Sequence, residues 1–311
     1  VSTRSKITLK QLEMMISLGT ELNFRKAAER IGVSQPSLSA QIQALEEAVG
    51  LRMVERARSG TILTPAGREV LRRAQTVMGE VRGLEDYASD MRLGPAGTIR
   101  LGTKTTLGPY ILPRLVSRLH RESPELRLYI RESAPRDLEV ELYNGVHDLI
   151  LVQLPLTDTD LSVARLFREP LYLAVAADHP LASRKAIEPE LLKGLEVLSL
   201  NPSFHLHDQV LSLCRDFGAT LLRDYEGTSL DALRQMVGMG MGTTFLPALY
   251  VQSELPSRDD VVVLEVVGKP IYRSTGLAWR KSAGRVSAFH LIADTIRQVV
   301  KQDCPQLVLE R

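Results

Sequence analysis

The sequence predicts a mixed α/β protein with a winged helix-turn-helix head, a long linker helix and a two-lobed α/β body. Three observations predict it. Helix-spaced apolar residues interrupted by a Gly turn fill residues 9–49, an apolar seam with heptad spacing starts at Val70, and strand and helix patterns alternate from Thr98. The 311 residues suit two or three domains of roughly 100–200 residues each. We place the boundaries at 1–68 for the head, 69–93 for the linker helix and 94–311 for the body.

In the head, Leu9, Leu12, Met15 and Ile16 have the spacing of an amphipathic first helix. Asn23 is positioned to cap a second, in which small Ala27 and Ala28 allow close helix packing. Gly32-Val33 supplies the turn. Ser34 caps a third helix with Pro36 in its first turn, where a missing N–H costs nothing. Leu38, Ile42 and Leu45 share one face of that helix. Pro36, Ser39, Ala40 and Gln43 share the opposite one, with Gln35 at its edge. Short, polar, nearly uncharged side chains suit base edges in a major groove, so Gln35, Pro36, Ser37, Ser39 and Gln43 are the candidate base contacts. Leu51–Arg56 and Thr61–Thr64 read as two strands of a wing around Arg58-Ser59-Gly60. Arg25, Lys26, Ser34, Arg56 and Arg58 are the candidate phosphate contacts.

Charge agrees with this division. The whole chain carries only +2, but residues 1–68 hold ten basic and six acidic side chains, a net +4, leaving −2 for the rest. A basic head on a slightly acidic body points to a polyanion as the head's partner, although +4 alone is within ordinary scatter.

Thr64 and Pro65 open the linker helix. Val70, Ala74, Val77, Val81, Leu84, Ala88 and Met91 follow at alternating spacings of four and three, the a/d seam of a coiled coil. Two-fold pairing suits a reader of dyad-related half-sites, while packing on its own domain is the other use of such a face. Gly94-Pro95-Ala96-Gly97 ends the helix.

In the body, strands are expected at 98–102, 126–130 and 148–152, and helices at 109–119 and 137–143, giving a mostly parallel sheet. A second unit begins near Leu171, and the chain returns to the first sheet near Ser274, followed by a helix over 286–299. Lobe I therefore takes about 98–167 and 274–300, lobe II about 168–273, with a cleft between them. Loops at strand ends and helix N-termini meet in such a cleft and favour polar or anionic ligands. Thr105, Thr106, Ser203, His205, Thr228 and Ser229 are the candidate effector contacts, and for each Ser or Thr a helix-capping role stands beside the pocket role.

Residues 7–68 resemble the winged helix-turn-helix of LysR-type transcriptional regulators, on the strength of Ala27-Ala28, Val33–Ser39, Gln41-Ile42, Leu45-Glu46, Leu51, Glu55-Arg56 and Leu63–Gly67. Glu141–Asp148, His179-Pro180-Leu181 and Gly240–Pro247 extend the resemblance into the body. It implies base reading at Gln35, Pro36 and Ser39, phosphate binding at Arg56 and dimerisation through the linker helix. It also implies a periplasmic-binding-protein-like effector domain. A double-stranded, pseudo-palindromic operator, a homodimer or homotetramer, and contact with RNA polymerase in an activator follow in the same way. Gly108–Pro113, Asp208-Gln209, Cys214 and Thr228–Met236 are most similar to the peroxide-sensing OxyR branch. There Thr106 would match a peroxide-positioning threonine and Cys214 the resolving cysteine. The peroxide-reactive cysteine would fall at His205, so the thiolate that starts the chemistry is missing. Cys304 is not expected to pair with Cys214.

The expectation is thus an operator-binding regulator controlled by a small molecule. A redox regulator working through Cys214, and an α/β enzyme fused to a DNA reader, are the alternatives. No nucleophile elbow, Walker sequence or His-Glu-x-x-His motif occurs. Gly238-x-Gly240-x-Gly242 follows a helix, unlike a dinucleotide fingerprint. His205 and His207, two apart on a helix, point to different sides, so neither metal nor cofactor is expected. With no apolar run of about 18–20 residues, the predicted location is the cytoplasm, away from the membrane.

Overall fold

The computed structural model describes residues 6–57, 60–93, 96–133, 137–156, 160–256 and 259–310. The chain divides into two compact units, the first taking residues 1–89 with 143–146 and 282–284, the second the remainder.

The first unit opens with α1 (Leu9–Glu21), α2 (Phe24–Arg30) and α3 (Gln35–Val49). Thr8 and Gln11 form a reciprocal capping box at α1: the Gln11 N–H donates to Thr8 Oγ1 at 3.3 Å, and the Thr8 N–H to Gln11 Oε1 at 2.9 Å. Asn23 caps α2 through the Lys26 N–H, and Ser34 caps α3 through the Ser37 N–H. Gly32, at φ +68°, makes the turn between them in a conformation that disfavours other residues. Met15, Leu18, Ala27, Ala28, Leu38, Ile42 and Leu45 form the core, as their spacing implies.

The wing pairs β1 (Val54–Ala57) with β2 (Gly60–Leu63), Val54 opposite Leu63. Its first strand starts later than the expected Leu51. Met53 is buried and docked on α3, where Glu46 Oε1 accepts the N–H groups of Met53 and Val54 at 2.6 and 3.1 Å. Arg58 lies outside the described residues, as does the side chain of Arg56.

Helix α4 runs Pro65–Leu93 behind a Thr64 cap. Gly67 lets it dock, because a Cβ there would stand 2.0 Å from the Met53 carbonyl oxygen. The expected seam divides. Ala74 is buried in the core of its own unit, with Val70, Leu71 and Met78 packed against that core. Ala74 is therefore unavailable to a partner helix, which corrects its place in the dimerisation seam. Val81 is half-buried, and Val77, Leu84 and Ala88 are exposed. The Met91 side chain lies outside the described residues.

The second unit comprises β3 (Gly97–Thr103), α5 (Gly108–Glu122), β4 (Leu126–Glu132), α6 (Asp137–Tyr143), β5 (Leu149–Leu154), β6 (Leu161–Ala176), β7 (Ala186–Ile187), β8 (Glu196–Leu200), α7 (His205–Phe217), β9 (Thr220–Gly227), α8 (Leu230–Gly238), β10 (Thr244–Pro247), α9 (Ala248–Glu254), β11 (Val261–Val266), β12 (Tyr272–Arg280), α10 (Val286–Asp303) and β13 (Val308–Leu309). The main sheet runs β4-β3-β5-β12-β6-β11-β7, with β10 and β13 also on β6, and β8 pairs with β9 separately. The pairings β4-β3-β5, β11-β7 and β8-β9 are parallel. The three strands of the alternating pattern, β4-β3-β5, are parallel as expected, and the strands flanking β6 and β12 run antiparallel.

The reason is β6 itself. Its Leu161–Pro170 half pairs with β12 and its Leu171–Ala176 half with β10 and β11, so one 16-residue strand passes from lobe to lobe. The lobe boundary expected at 167/168 falls inside it, with β12 returning beside it. Each lobe has its own core, Leu101, Leu115, Leu151 and Ile292 in the first and Val175, Leu198, Phe245 and Leu264 in the second.

Candidate DNA-reading helix and candidate effector cleft

On α3 the core face and the reading face separate as the periodicity implies. Leu38, Ile42 and Leu45 are buried, whereas Gln35, Pro36, Ser37 and Gln43 are exposed and Ser39 is half-buried. Gln43 Nε2 donates to Glu47 Oε1 at 3.1 Å, so a base competes with that contact. Ser34 Oγ accepts from the Ser37 N–H, which leaves its own proton available to a phosphate oxygen. Arg25 and Lys26 are exposed at the start of α2, and Arg25 lies 3.9 Å from Glu29, a solvated pair that holds little energy. The head thus presents a polar helix face beside mobile-length cations, the arrangement that positions on phosphates and reads on bases.

In the second unit, the turn after β3 and the start of α7 meet. Lys104 follows β3 directly, and its carbonyl accepts the N–H groups of Leu107 and Gly108. Its side chain is 4% exposed, and its Nζ lies 2.7 Å from Nδ1 of His205, the first residue of α7. Burial, and then the nearby positive charge of Arg273, lower the Lys104 pKa to about 7, while Glu139 pulls weakly the other way. The charged form is therefore held less firmly near neutral pH than in an exposed lysine.

Arg273 belongs to the strands that join the lobes. Its Nε donates to Glu169 Oε2 at 2.6 Å and its Nη2 to the Thr106 carbonyl at 2.9 Å. Glu169 is 0% exposed, and its other oxygen accepts the Leu249 N–H at the start of α9. Gln209, on α7, receives a hydrogen bond from Gln153 of β5 and donates to the Tyr272 carbonyl. Sequence reasoning gave no role to Glu169 or Arg273, and met Lys104 and Gln209 only as neighbours, Lys104 in the turn of Thr105 and Thr106 and Gln209 in the OxyR-like resemblance. The available signal was charge inside apolar strand patterns, in Leu166-Phe167-Arg168-Glu169-Pro170-Leu171 for example.

The expected effector residues separate by role. Thr106 is buried on the Lys104 turn and Thr105 is exposed there. Ser203 donates its backbone N–H and its hydroxyl to Asn201 Oδ1, shaping the turn into α7. The Asn201 N–H donates to the Gly227 carbonyl, which brings that turn beside exposed Thr228. Ser229 caps α8, accepting the Asp231 and Ala232 N–H groups. His207 turns away from His205 and donates Nδ1–H to the Leu200 carbonyl at 2.8 Å. Among the described residues no three His, Cys, Asp or Glu side chains gather as a metal site.

Both cysteines are free and buried. Burial pushes the thiols of Cys214, in lobe II, and Cys304, at the end of α10, above their ordinary pKa.

Two family models cover this architecture. The bacterial regulatory helix-turn-helix protein of the lysR family matches residues 9–68, and the LysR substrate binding domain matches residues 92–301. The chain belongs to the LysR family. It is a DNA-binding transcriptional regulator and not an enzyme. It is 34% identical to the DNA-binding transcriptional dual regulator OxyR of Escherichia coli K12 over 94% of this chain and 95% of that protein. It is 30% identical to the HTH-type transcriptional regulator EstR of Acinetobacter baylyi over 94% and 97%. Full-length OxyR of Pseudomonas aeruginosa, in a cysteine-to-aspartate form, superposes with a TM-score of 0.77 at 34% identity, covering 93% of this chain and 97% of that one. As a LysR regulator the chain combines the DNA-binding head with an effector-binding body, and no helix among its described residues is long and apolar enough to cross a membrane.

Proposed function

We propose that this LysR regulator binds a pseudo-palindromic operator as a dimer or tetramer and is switched by a small molecule held between its lobes, without thiol chemistry. The observation that carries the reading is the Lys104–His205 contact at 2.7 Å. It puts an amine and an imidazole, both non-redox groups, where the turn after β3 meets α7. The position that the resemblance assigns to a reactive cysteine is the His205 of that contact. Cys214, the other half of the OxyR-like pair, is 3% exposed with its thiol pKa raised, which disfavours the thiolate. Gln35, Pro36, Ser37, Ser39 and Gln43 read bases, and Arg25, Lys26, Ser34, Arg56 and Arg58 hold phosphates. Thr105, Thr106, Ser203 and His205 line the effector site with Thr228 and Ser229 at its edge. The protein works in the cytoplasm, and as an activator it contacts RNA polymerase.

Operator binding followed by fluorescence anisotropy tests this reading. Hydrogen peroxide is expected to leave the affinity of the wild type unchanged, and a small molecule that raises the melting temperature is expected to change it. A peroxide response in the wild type that disappears in Cys214→Ser establishes the redox alternative instead.

A further inference from the structure

Resting on the reading of the cleft as the effector site, we infer that Lys104 receives the carboxylate of a small monoanionic effector. Lys104 is buried, yet among the described residues no carboxylate lies within ion-pair distance of its Nζ, whose one hydrogen-bond partner is His205. A buried ammonium without a counter-ion is costly, so proteins pair it, neutralise it or leave it for a ligand.

The charged groups around it fix the sign and size of the missing partner. Arg273, from β12, is cationic, but Glu169 of β6 neutralises it in a buried ion pair. Glu139 of α6 is half-exposed and outside ion-pair distance. His205 of α7 presents a ring nitrogen, not a negative charge. Among the described residues, protonated Lys104 is thus a positive charge with no carboxylate at ion-pair distance, which a ligand carboxylate matches and a dianion exceeds.

The surroundings supply further donors. Among the described residues the Thr106 hydroxyl, on the same turn and buried, makes no hydrogen bond. Helix α7 starts beside Lys104 behind Phe204, which supplies no side-chain cap. Its first N–H groups therefore add positive potential at the place where the ammonium sits. The Lys104 ammonium would exchange its contact with His205 for a charge-assisted hydrogen bond to the ligand. Because burial and Arg273 hold Lys104 near pKa 7, binding takes up a proton above neutrality.

The test uses the full chain and matched monoanionic probes: acetate, propionate and pyruvate, each against its primary amide, with inorganic phosphate as a further arm. Thermal shift and calorimetry are run on the wild type, Lys104→Met and Lys104→Arg. At least one carboxylate is expected to bind the wild type while its amide does not. Lys104→Met is expected to weaken that binding at least about tenfold, and Lys104→Arg to retain it, since either cation can hold a carboxylate. Affinity for the carboxylate falls as pH rises through about 7, by up to about tenfold per unit, while amide titrations stay flat. Equal binding of acid and amide, no binding by any carboxylate, an unaffected Lys104→Met, or stronger Lys104-dependent binding of phosphate overturns the assignment.

Failure of the underlying reading has a different signature. A carboxylate that binds through Lys104 without altering operator affinity upholds this inference and removes the effector role. A neutral metabolite that alters operator affinity equally in wild type and Lys104→Met does the reverse.

Discussion

Lys104 contributes to stability with a sign that can be read directly. Its folded pKa, about 7, lies below the unfolded value, so between pH 7 and roughly 10 the unfolded chain binds more protons. Stability of the body is therefore expected to rise with pH across that window, by at most about 1.4 kcal/mol per unit, and to be penalised fully below it. Lys104→Met removes the titrating group, and its unfolding profile is expected to be flatter over the same range. Urea titrations read by fluorescence measure this, because Trp279 is the one tryptophan and sits buried on β12. In the head, Gln35 is exposed at the first turn of α3, where its amide can both donate and accept. Gln35→Ala is expected to cost about 1–3 kcal/mol on the preferred operator and much less on random DNA, relaxing specificity. Anisotropy on both sequences at fixed salt separates that loss from a phosphate contact, whose removal weakens both alike.

At the scale of elements, the short-range patterns were legible and the long-range ones were not. Caps at Asn23, Ser34 and Ser229, the core face of α3 and the turn at Gly32 depend on residues within one or two turns of each other. The sheet order depends on which strands β6 meets, and nothing in Leu161–Ala176 announces that one strand serves two lobes. Charged Glu169 stood out in an apolar strand pattern, but its partner could not be read, because Arg273 stands 104 residues away. Helix α4 combines both situations. Its heptad seam is visible in sequence, but only tertiary packing reveals that Ala74 is spent on the head's own core. Leu84, by contrast, is 70% exposed. Ala74→Glu is therefore expected to unfold the head, since a buried unpaired carboxylate costs several kcal/mol, on the order of 3–5. Leu84→Glu is expected to leave the melting temperature of the dilute protein nearly unchanged and to dissociate the oligomer, as sedimentation velocity can show. If Leu84→Glu sediments like the wild type, the C-terminal part of α4 is not the dimer seam.

Across the molecule, the two functions sit on different kinds of chemistry. The head carries net +4 and solvated cations suited to a polyanion, while the body holds a buried ion pair, Arg273 with Glu169, between the joining strands. Glu169 and Arg273 face each other on β6 and β12, where the two lobes share strands, and Arg273 also reaches the Thr106 carbonyl on the Lys104 turn. One ion pair therefore links the joining strands, the start of α9 and the candidate effector turn. Its energetics are asymmetric. Removing Glu169 alone leaves the Arg273 guanidinium buried and uncompensated and orphans the Leu249 N–H, so Glu169→Ala is expected to cost about 3–5 kcal/mol. Glu169→Gln keeps an acceptor for Leu249 and is expected to cost less. The double variant Glu169→Leu with Arg273→Met replaces the pair with apolar side chains and is expected to recover most of the stability, because two buried charges no longer need desolvation. Trp279 fluorescence in urea supplies the three values, and the cycle isolates the coupling. If the pair serves only stability, the double variant regains operator control by its effector together with its fold. If it transmits occupancy of the Lys104 turn to the joining strands, the double variant folds and binds ligand but operator affinity no longer responds. That second outcome is the one expected from a contact that touches both the turn and the strands between the lobes.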